Sequence, residues 1–212
     1  DSAPSRAYDG PTMYDGLSLL ADPIHKYISL TVPTASYPEE TTEKDLIDSL
    51  WVQRLRSIYQ LQSTRWVYPS AEHSRFQHSI GAMHVAGLFA RHLYPSLKQT
   101  FPDLPSPYYV EELLRIAALL HDIGHGPFCH FFDQNILAPF HLTHEQIGQT
   151  IITDQLGDLI KTLSRSPHAP FLPGETIDPS HIAFLILKDP TKSTENYPQW
   201  LNALQPILGG VY

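Results

Sequence analysis

The 212-residue sequence contains one cysteine, Cys129, which excludes an intrachain disulfide. Because chains without disulfides suit a reducing compartment, we expect a cytoplasmic location, or a nuclear one in a eukaryote. No run of lysine and arginine is present, and the formal net charge is −8 at pH 7. Duplex nucleic acid is therefore an unlikely partner on charge grounds, since a duplex is bound mainly through basic side chains on its phosphates.

Long apolar runs are also missing, and none reaches the length that would cross a membrane. No signal peptide is visible, so we expect no membrane association. The first residue is Asp1 rather than methionine, which predicts that the chain has been processed or trimmed. With 42% hydrophobic and 17% charged residues, the chain has enough apolar content to fold around a core.

The apolar residues recur mostly at helical spacing, which predicts an all-α fold with little sheet. Residues 1–21, rich in Pro, Ser, Gly and Asp, are predicted to form an irregular N-terminal arm, and residues 22–212 a single domain. Residues 24–32 favour a short strand or a hairpin arm. Helices are predicted for residues 43–62, 75–93, 107 to about 121, 128–137 and 178–187, and for segments beginning at Thr143 and Tyr197. Residues 63–74 and 95–107 are predicted to be loops.

Two of the predicted helices begin at typical capping sequences. Ser106 precedes Pro107 and two early glutamates, a combination that favours a helix start. Thr143 and Gln146 match a capping box, in which each side chain bonds to the backbone N–H of the other residue. Both predictions depend on residues within a single turn.

The most informative part of the sequence is the histidine-rich segment, residues 121–130, which reads HDIGHGPFCH. The adjacent His121 and Asp122 offer one imidazole nitrogen and one carboxylate oxygen, which are suitable ligands for a divalent cation. The glycines and proline that follow end the preceding helix and turn the chain back, so His125 and His130 can face one pocket. This combination predicts metal-assisted hydrolysis.

A third metal ligand is predicted from a different helix. His78 lies near the start of the predicted helix 75–93, where an inward-facing imidazole could meet His121 and Asp122. A histidine in such a position is by itself more often a surface or core residue than a ligand. The interpretation as a ligand depends on the histidine-rich segment being present in the same chain.

The spacing of His78, His121 and Asp122 resembles that of the HD-domain metal-dependent phosphohydrolases. The wider sequence, strongest from Asp22 to Gln146, is similar to their deoxynucleoside triphosphate triphosphohydrolase branch. The resemblance implies an HD-domain helical bundle, a bound divalent metal ion (Mg, Mn, Fe, Zn or Ni), a nucleotide substrate and a homo-oligomer in the full-length protein. The matching stretches include DPIH at 22–25, QRLR at 53–56, HSRFQHS at 73–79 and THEQ at 143–146.

The resemblance also implies roles for individual residues. The implied metal ligands are His78, His121 and Asp122. The implied catalytic residues are His125, His130, Asp133 and His144, with His130 donating a proton and Asp133 orienting it. The implied substrate-binding residues are Gln60, Leu61 and Arg75. The implied effector-binding residues are Asp48, Gln53 and Arg56, although packing between a helix and a loop explains the stretch from Gln53 to Arg56 about as well.

The family pattern ends with an aspartate on a later helix, in a context that this sequence does not contain. We therefore expect a chain truncated before that ligand, with three protein ligands and weaker metal binding. The possible substitutes are Asp154, Asp158, Asp178 and Asp189, none of which has the expected flanking residues.

The function expected from the resemblance is metal-dependent hydrolysis of deoxynucleoside triphosphates to deoxynucleoside and tripolyphosphate. One alternative is an HD phosphohydrolase that acts on a nucleoside monophosphate, a cyclic nucleotide or a guanosine alarmone. Another is a catalytically silent nucleotide-binding module, which the missing aspartate would permit.

Overall fold

The computed structural model describes residues 16–35, 39–188 and 196–209. Its first element is an antiparallel hairpin of β1 (Leu17–Asp22) and β2 (Lys26–Thr31). The Asp22 carboxylate closes the turn by accepting backbone hydrogen bonds from Ile24 at 2.9 Å and from His25 at 2.8 Å. The hairpin predicted near residues 24–32 is confirmed. The prediction of an irregular arm is wrong for residues 17–21, because these residues form β1 and pair with β2.

The prediction of a single helix for residues 43–62 is wrong, because the helix is interrupted at Ser49. Helix α1 (Glu43–Asp48) is followed by α2 (Leu50–Gln53) and a 3₁₀ turn (Arg54–Ser57). Ser49 is extended (φ −59°, ψ 147°), and its hydroxyl accepts from the backbone N–H of Val52 at 3.4 Å, so it caps a new helix. Two further 3₁₀ turns (Gln62–Trp66 and Pro69–Ala71) lead to the next helix.

Two long helices form the centre of the bundle, α3 (Arg75–Thr100) and α4 (Pro107–Leu120). Helix α4 is buried from Tyr109 through Leu120, and α3 packs its apolar face against it. Helix α4 begins and ends close to the predicted bounds, with the Ser106 hydroxyl accepting from the backbone of Tyr109 at 3.2 Å. The N-terminal cap predicted there is confirmed.

The loop predicted from residue 95 is wrong, because α3 continues through Pro95 to Thr100. Pro95 is exposed, so water can solvate the helix carbonyl that proline leaves unpaired. Two side chains on either side of Pro95 hold the end of α3 against the following loop. The Tyr94 hydroxyl donates to the carbonyl of Pro105 at 2.8 Å, and the Lys98 ammonium donates to the carbonyl of Leu104 at 2.6 Å.

A buried ionic network attaches the hairpin to the bundle. The Arg115 guanidinium of α4 donates to the Glu43 carboxylate at 2.6 Å and to the Ser29 carbonyl at 2.9 Å. Glu43 in turn accepts from the backbone N–H of Thr31 at 2.8 Å. The carboxyl of Glu112 lies 3.9 Å from Arg115 and is fully buried. Burial raises the pKa of Glu112 well above its ordinary value.

The second half of the chain consists of short helices that pack around the end of α4. They are α5 (His130–Phe132), α6 (His144–Thr150), α7 (Gly157–Lys161), α8 (Pro179–Leu185) and α9 (Gln199–Gly209). Helix α5 continues as a π-helical turn (Asp133–Leu137) and a 3₁₀ turn (Ala138–Phe140), and a second π-helical turn (Ile151–Gln155) follows α6. The helix predicted from residue 128 begins only at His130. The predicted all-α class is confirmed.

No helix within residues 16–35, 39–188 and 196–209 is long and apolar enough to span a membrane.

Candidate active site

The candidate metal triad consists of His78, His121 and Asp122, which the structure brings together as the sequence predicts. A capping box of Ser74 and Gln77 starts α3 and places His78 in its first turns. His121 and Asp122 directly follow α4. The Nε2 atoms of the two histidines are 3.1 Å apart, and the Asp122 Oδ2 atom lies 3.8 Å from that of His78 and 3.4 Å from that of His121.

These separations suit a shared cation. Two nitrogen ligands at about 2.1 Å from one metal ion are roughly 3.0–3.4 Å apart in octahedral or tetrahedral geometry. The Nδ1–H of His121 donates to the carbonyl of Ala118 at 2.7 Å, which directs the ring so that Nε2 lies beside Asp122 and His78, where it can bind a metal ion once deprotonated. The triad therefore fits a divalent first-row metal ion in both donor type and spacing.

The charges around the triad keep Asp122 ionised. Burial raises its pKa, but hydrogen bonds from His121 and His125 and the charge of Arg75 outweigh burial and hold the pKa well below its usual range. The Arg75 guanidinium contacts the Asp122 carboxylate directly and donates from Nε to the Cys129 sulfur at 3.0 Å. Burial and the neighbouring His121 lower the pKa of His78, so its imidazole is neutral and able to bind a metal.

The histidine–aspartate cluster, formed by His125, His130, Asp133 and His144, lies beside the triad. The Asp133 Oδ2 atom is 2.8 Å from Nδ1 of His144, 3.3 Å from that of His130 and 3.9 Å from that of His125. The rings of His125 and His144 stack with centroids 3.8 Å apart. Burial lowers the pKa of both stacked histidines, whereas the His130 side chain is 55% exposed.

Gly124 allows these two groups to approach each other. A Cβ atom at this position would lie 1.8 Å from the carbonyl oxygen of His144 and 2.6 Å from the backbone nitrogen of Gly148. The histidine-rich segment therefore packs directly on the backbone of α6, and this contact places His144 next to His125. Phe128 and Cys129 adopt left-handed conformations (φ 62° and 48°) before α5 begins and turn His130 toward the same side.

Arg54 fixes the backbone of the histidine-rich segment from a distant part of the chain. Its guanidinium donates to the carbonyl of His125 at 2.8 Å and also to the carbonyl of Ile123. These bonds hold the turn between the triad and the histidine–aspartate cluster. Arg54 belongs to the QRLR stretch at 53–56, but nothing in that stretch reveals these partners, since the bonds span 69 and 71 residues.

Members of both groups border one central cavity of about 180 Å³: His121 and Asp122 of the triad, and His125, His130 and His144 of the cluster. His78 instead lines an adjoining pocket, which it shares with His121. The cavity is lined by Gln60, Arg75, His121, Asp122, His125, His130, His144, Glu145, Ile186, Lys188, Leu208 and Gly209. Glu145, Ile186 and Lys188 were not expected there. Of the three implied substrate-binding residues, Gln60 and Arg75 line the cavity and Leu61 does not.

The proposed effector residues lie outside the central cavity and contact one another or nearby groups. The Arg56 Nε–H donates to the Gln53 side chain at 2.7 Å, and its guanidinium lies 3.7 Å from the centre of the Phe76 ring. Gln53 donates to the carbonyl of Ile47 at 2.8 Å. Asp48 pairs with Lys44 on the surface. These contacts agree with the packing interpretation and do not test effector binding.

No fourth protein ligand joins the triad within the part of the chain that the structure describes. Its ligand group contains only the three predicted residues. Of the possible substitutes, Asp154, Asp158 and Asp178 lie elsewhere, and Asp189 falls outside the described residues.

The two histidines and one aspartate of the triad, with the histidine–aspartate cluster beside them, indicate the class of protein. The chain belongs to the HD domain family, whose profile matches residues 75–183, about half of the chain. HD domains bind divalent metal ions, and the triad lies within the matched region.

The most informative relatives are triphosphohydrolases of deoxynucleoside triphosphates. The chain is 37% identical over 132 residues to the deoxynucleoside triphosphate triphosphohydrolase SAMHD1 homolog of Dictyostelium discoideum, covering 61% of this chain and 23% of that protein. It is 36% identical over 146 residues to the human triphosphohydrolase SAMHD1, covering 67% and 21%. An uncharacterized protein of Methanocaldococcus jannaschii is 36% identical over 155 residues, covering 70% and 28%. The chain thus resembles the triphosphohydrolase branch and spans about a quarter of the length of these curated relatives.

Proposed function

We propose that the protein is a metal-dependent phosphohydrolase that converts deoxynucleoside triphosphates to deoxynucleoside and tripolyphosphate. The observation that carries the proposal is that His121 and Asp122 of the candidate metal triad line the same cavity as His125, His130 and His144 of the histidine–aspartate cluster. One group can hold a cation against a phosphate, and the other can supply a proton to the leaving oxygen. The named activity of the SAMHD1 relatives supports the choice of substrate.

The metal would be held by the Nε2 atoms of His78 and His121 and by the Asp122 carboxylate. When bound, a divalent ion supplies neutralisation of phosphate charge and a water of lowered pKa. The protein contributes fixed ligand geometry, because the Ala118 carbonyl orients the His121 ring and Arg75 holds the Asp122 carboxylate.

His130 is the proposed general acid. Its ring borders the cavity, and its Nδ1–H faces the Asp133 carboxylate at 3.3 Å, which orients Nε2–H toward the cavity. Water attacks the α-phosphorus, forms the new P–O bond of tripolyphosphate and loses one proton to solvent. The bond between the α-phosphorus and the 5′-oxygen breaks, and Nε2 of His130 gives its proton to that oxygen, so the products are deoxynucleoside and tripolyphosphate. Such acid catalysis contributes roughly 100- to 10,000-fold to a rate. His144 and His125 stack behind it and fix the position of Asp133.

Substrate contacts are proposed for Arg75 and Gln60, which both line the cavity. Leu61 is proposed to act on the sugar only if the substrate extends beyond the cavity wall, since it lies outside the lining. A cavity of about 180 Å³ is smaller than a typical small-molecule site of roughly 300–1,000 Å³, so it suits the phosphate end of a nucleotide rather than the whole.

The decisive experiment measures turnover by the whole protein. Incubation with dGTP and Mn²⁺ is expected to release deoxyguanosine and tripolyphosphate, and Asp122→Ala is expected to lower the rate at least about a hundredfold by removing a metal ligand. Asp158→Ala is the matched control, because Asp158 is a fully exposed carboxylate far from the triad. Cleavage of another nucleotide without tripolyphosphate release would reassign the substrate. Nucleotide binding without any turnover would identify a silent binding module.

A further inference from the structure

The central cavity contains two side chains that carry a permanent positive charge, within the residues that the structure describes. They are Arg75 and Lys188. The two differ in what they are free to do. The Arg75 side chain is only 4% exposed and is bonded to the Asp122 carboxylate and the Cys129 sulfur. The Lys188 side chain lines the cavity and is 65% exposed to solvent.

Lys188 lines the cavity and contacts the start of α6. It follows α8, and its ammonium lies 3.6 Å from the Glu145 carboxylate at the start of α6. The same carboxylate oxygen is 3.2 Å from Nε2 of His144. The groups therefore run outward in order, from the histidine–aspartate cluster through Glu145 to Lys188.

The contact between Lys188 and Glu145 is easily exchanged. A partly exposed ion pair at this distance is worth little, because water screens both charges. A phosphate oxygen is a stronger partner for an ammonium group than a carboxylate at 3.6 Å, since a charge-assisted hydrogen bond can form at about 2.8 Å. Lys188 can thus leave Glu145 for an anion that enters the cavity.

The whole chain is acidic, with a net charge of −8, so its overall field repels a polyphosphate. Binding must depend on cations inside the site. The metal and His130 serve the α-phosphate in the proposed reaction, and Arg75 is held against Asp122. The phosphates farther from the cleaved bond have no assigned partner among these groups.

We propose that Lys188 binds the β- and γ-phosphates of the substrate and so favours triphosphates over shorter nucleotides. This inference rests on the proposed function, because it assigns a specificity residue to the same site. Lys188 acts on binding and not on the chemical step, since it is distant from the leaving oxygen in the order of groups described above.

The test compares Lys188→Gln with Lys161→Gln in the whole protein. Lys161 is a matched control because its side chain is 59% exposed and it pairs equally weakly with Asp158, away from the cavity. Lys188→Gln is expected to raise KM for dGTP by about tenfold to a hundredfold with kcat nearly unchanged, which is the signature of lost binding common to ground and transition states. Lys188→Arg should restore most of the affinity.

Inhibition measurements identify which part of the substrate is contacted. Inorganic tripolyphosphate is expected to inhibit Lys188→Gln more weakly than wild type, whereas inhibition by deoxyguanosine should be the same in both. An unchanged KM and unchanged tripolyphosphate inhibition in an active Lys188→Gln variant would overturn the inference. If the wild type does not hydrolyse dGTP, the proposed function fails. The role of Lys188 is then tested by calorimetry, which compares the affinity of tripolyphosphate for the Mn²⁺-loaded wild type and for Lys188→Gln; equal affinities would overturn the inference.

Discussion

Replacing Gly124 with alanine is expected to force the histidine-rich segment away from α6. The added Cβ would lie 1.8 Å from the His144 carbonyl oxygen and 2.6 Å from the Gly148 nitrogen, against an ordinary separation of roughly 3.5 Å. Both atoms belong to the backbone, so no side-chain rotation can relieve the contact. The two elements must separate by more than about 1 Å, which places the cost at or above the upper end of the usual 1–3 kcal/mol for overpacking.

The separation also predicts a defect at the site. His144 is carried by α6, so its 2.8 Å hydrogen bond to Asp133 and its stacking on His125 would be disturbed. Urea unfolding measures the loss of stability, and Mn²⁺ titration measures the effect on the neighbouring triad. Gly124 does not adopt a left-handed conformation, so any effect is steric.

Gly81→Ala is the matched control for this substitution. Its Cβ would lie 3.6 Å from the His25 ring, an ordinary contact, and Gly81 is in the interior of α3. Alanine is expected to stabilise the helix there by up to about 1 kcal/mol. A Gly124→Ala protein as stable as wild type, with the same Mn²⁺ affinity, would refute the proposed close packing.

Two further substitutions test the supports of the site and the core. Arg54→Ala is expected to lower the free energy of unfolding by about 2–3 kcal/mol and to weaken Mn²⁺ binding, because two carbonyls of the histidine-rich segment lose a charged donor. Urea unfolding and Mn²⁺ titration measure the two effects. Arg56→Ala is the control and should change neither free energy by more than about 1 kcal/mol. Glu112→Gln is expected to stabilise the protein above neutral pH. Burial raises the pKa of Glu112 far above 4.5, so the folded chain holds a proton that the unfolded chain releases, and stability falls as pH rises through that window. Melting temperatures at about pH 5 and about pH 8 should therefore differ less in the variant than in wild type, and an equal difference would contradict a raised pKa.

Local interactions explain which features the sequence could predict. The caps at Ser106 and Thr143 depend on side chains that reach the backbone three residues away, and both form as expected. The histidine-rich segment carries His121, Asp122, His125 and His130 within ten residues, so their proximity follows from the chain itself. The family resemblance drawn from these residues is confirmed by the match to the HD domain.

Tertiary contacts decided the rest. The helix break at Ser49 and the continuation of α3 through Pro95 reflect capping and solvent exposure that helical periodicity does not encode. The family resemblance implies that Leu61 binds the substrate, but Leu61 lies outside the lining of the cavity.

By itself the sequence determined the family and the types of candidate ligand, because short motifs carry them. It also determined the helical class, through the helical spacing of the apolar residues. The tertiary structure alone showed that Arg54 bonds to a turn about 70 residues away, and that Glu145 and Lys188 reach the cavity from α6 and α8. It also showed that the Arg75 guanidinium forms an ion pair with the Asp122 carboxylate. Arg54 and Glu145 lie in the QRLR and THEQ stretches that match the family, but their partners meet only when distant segments pack together, so these stretches do not reveal the contacts.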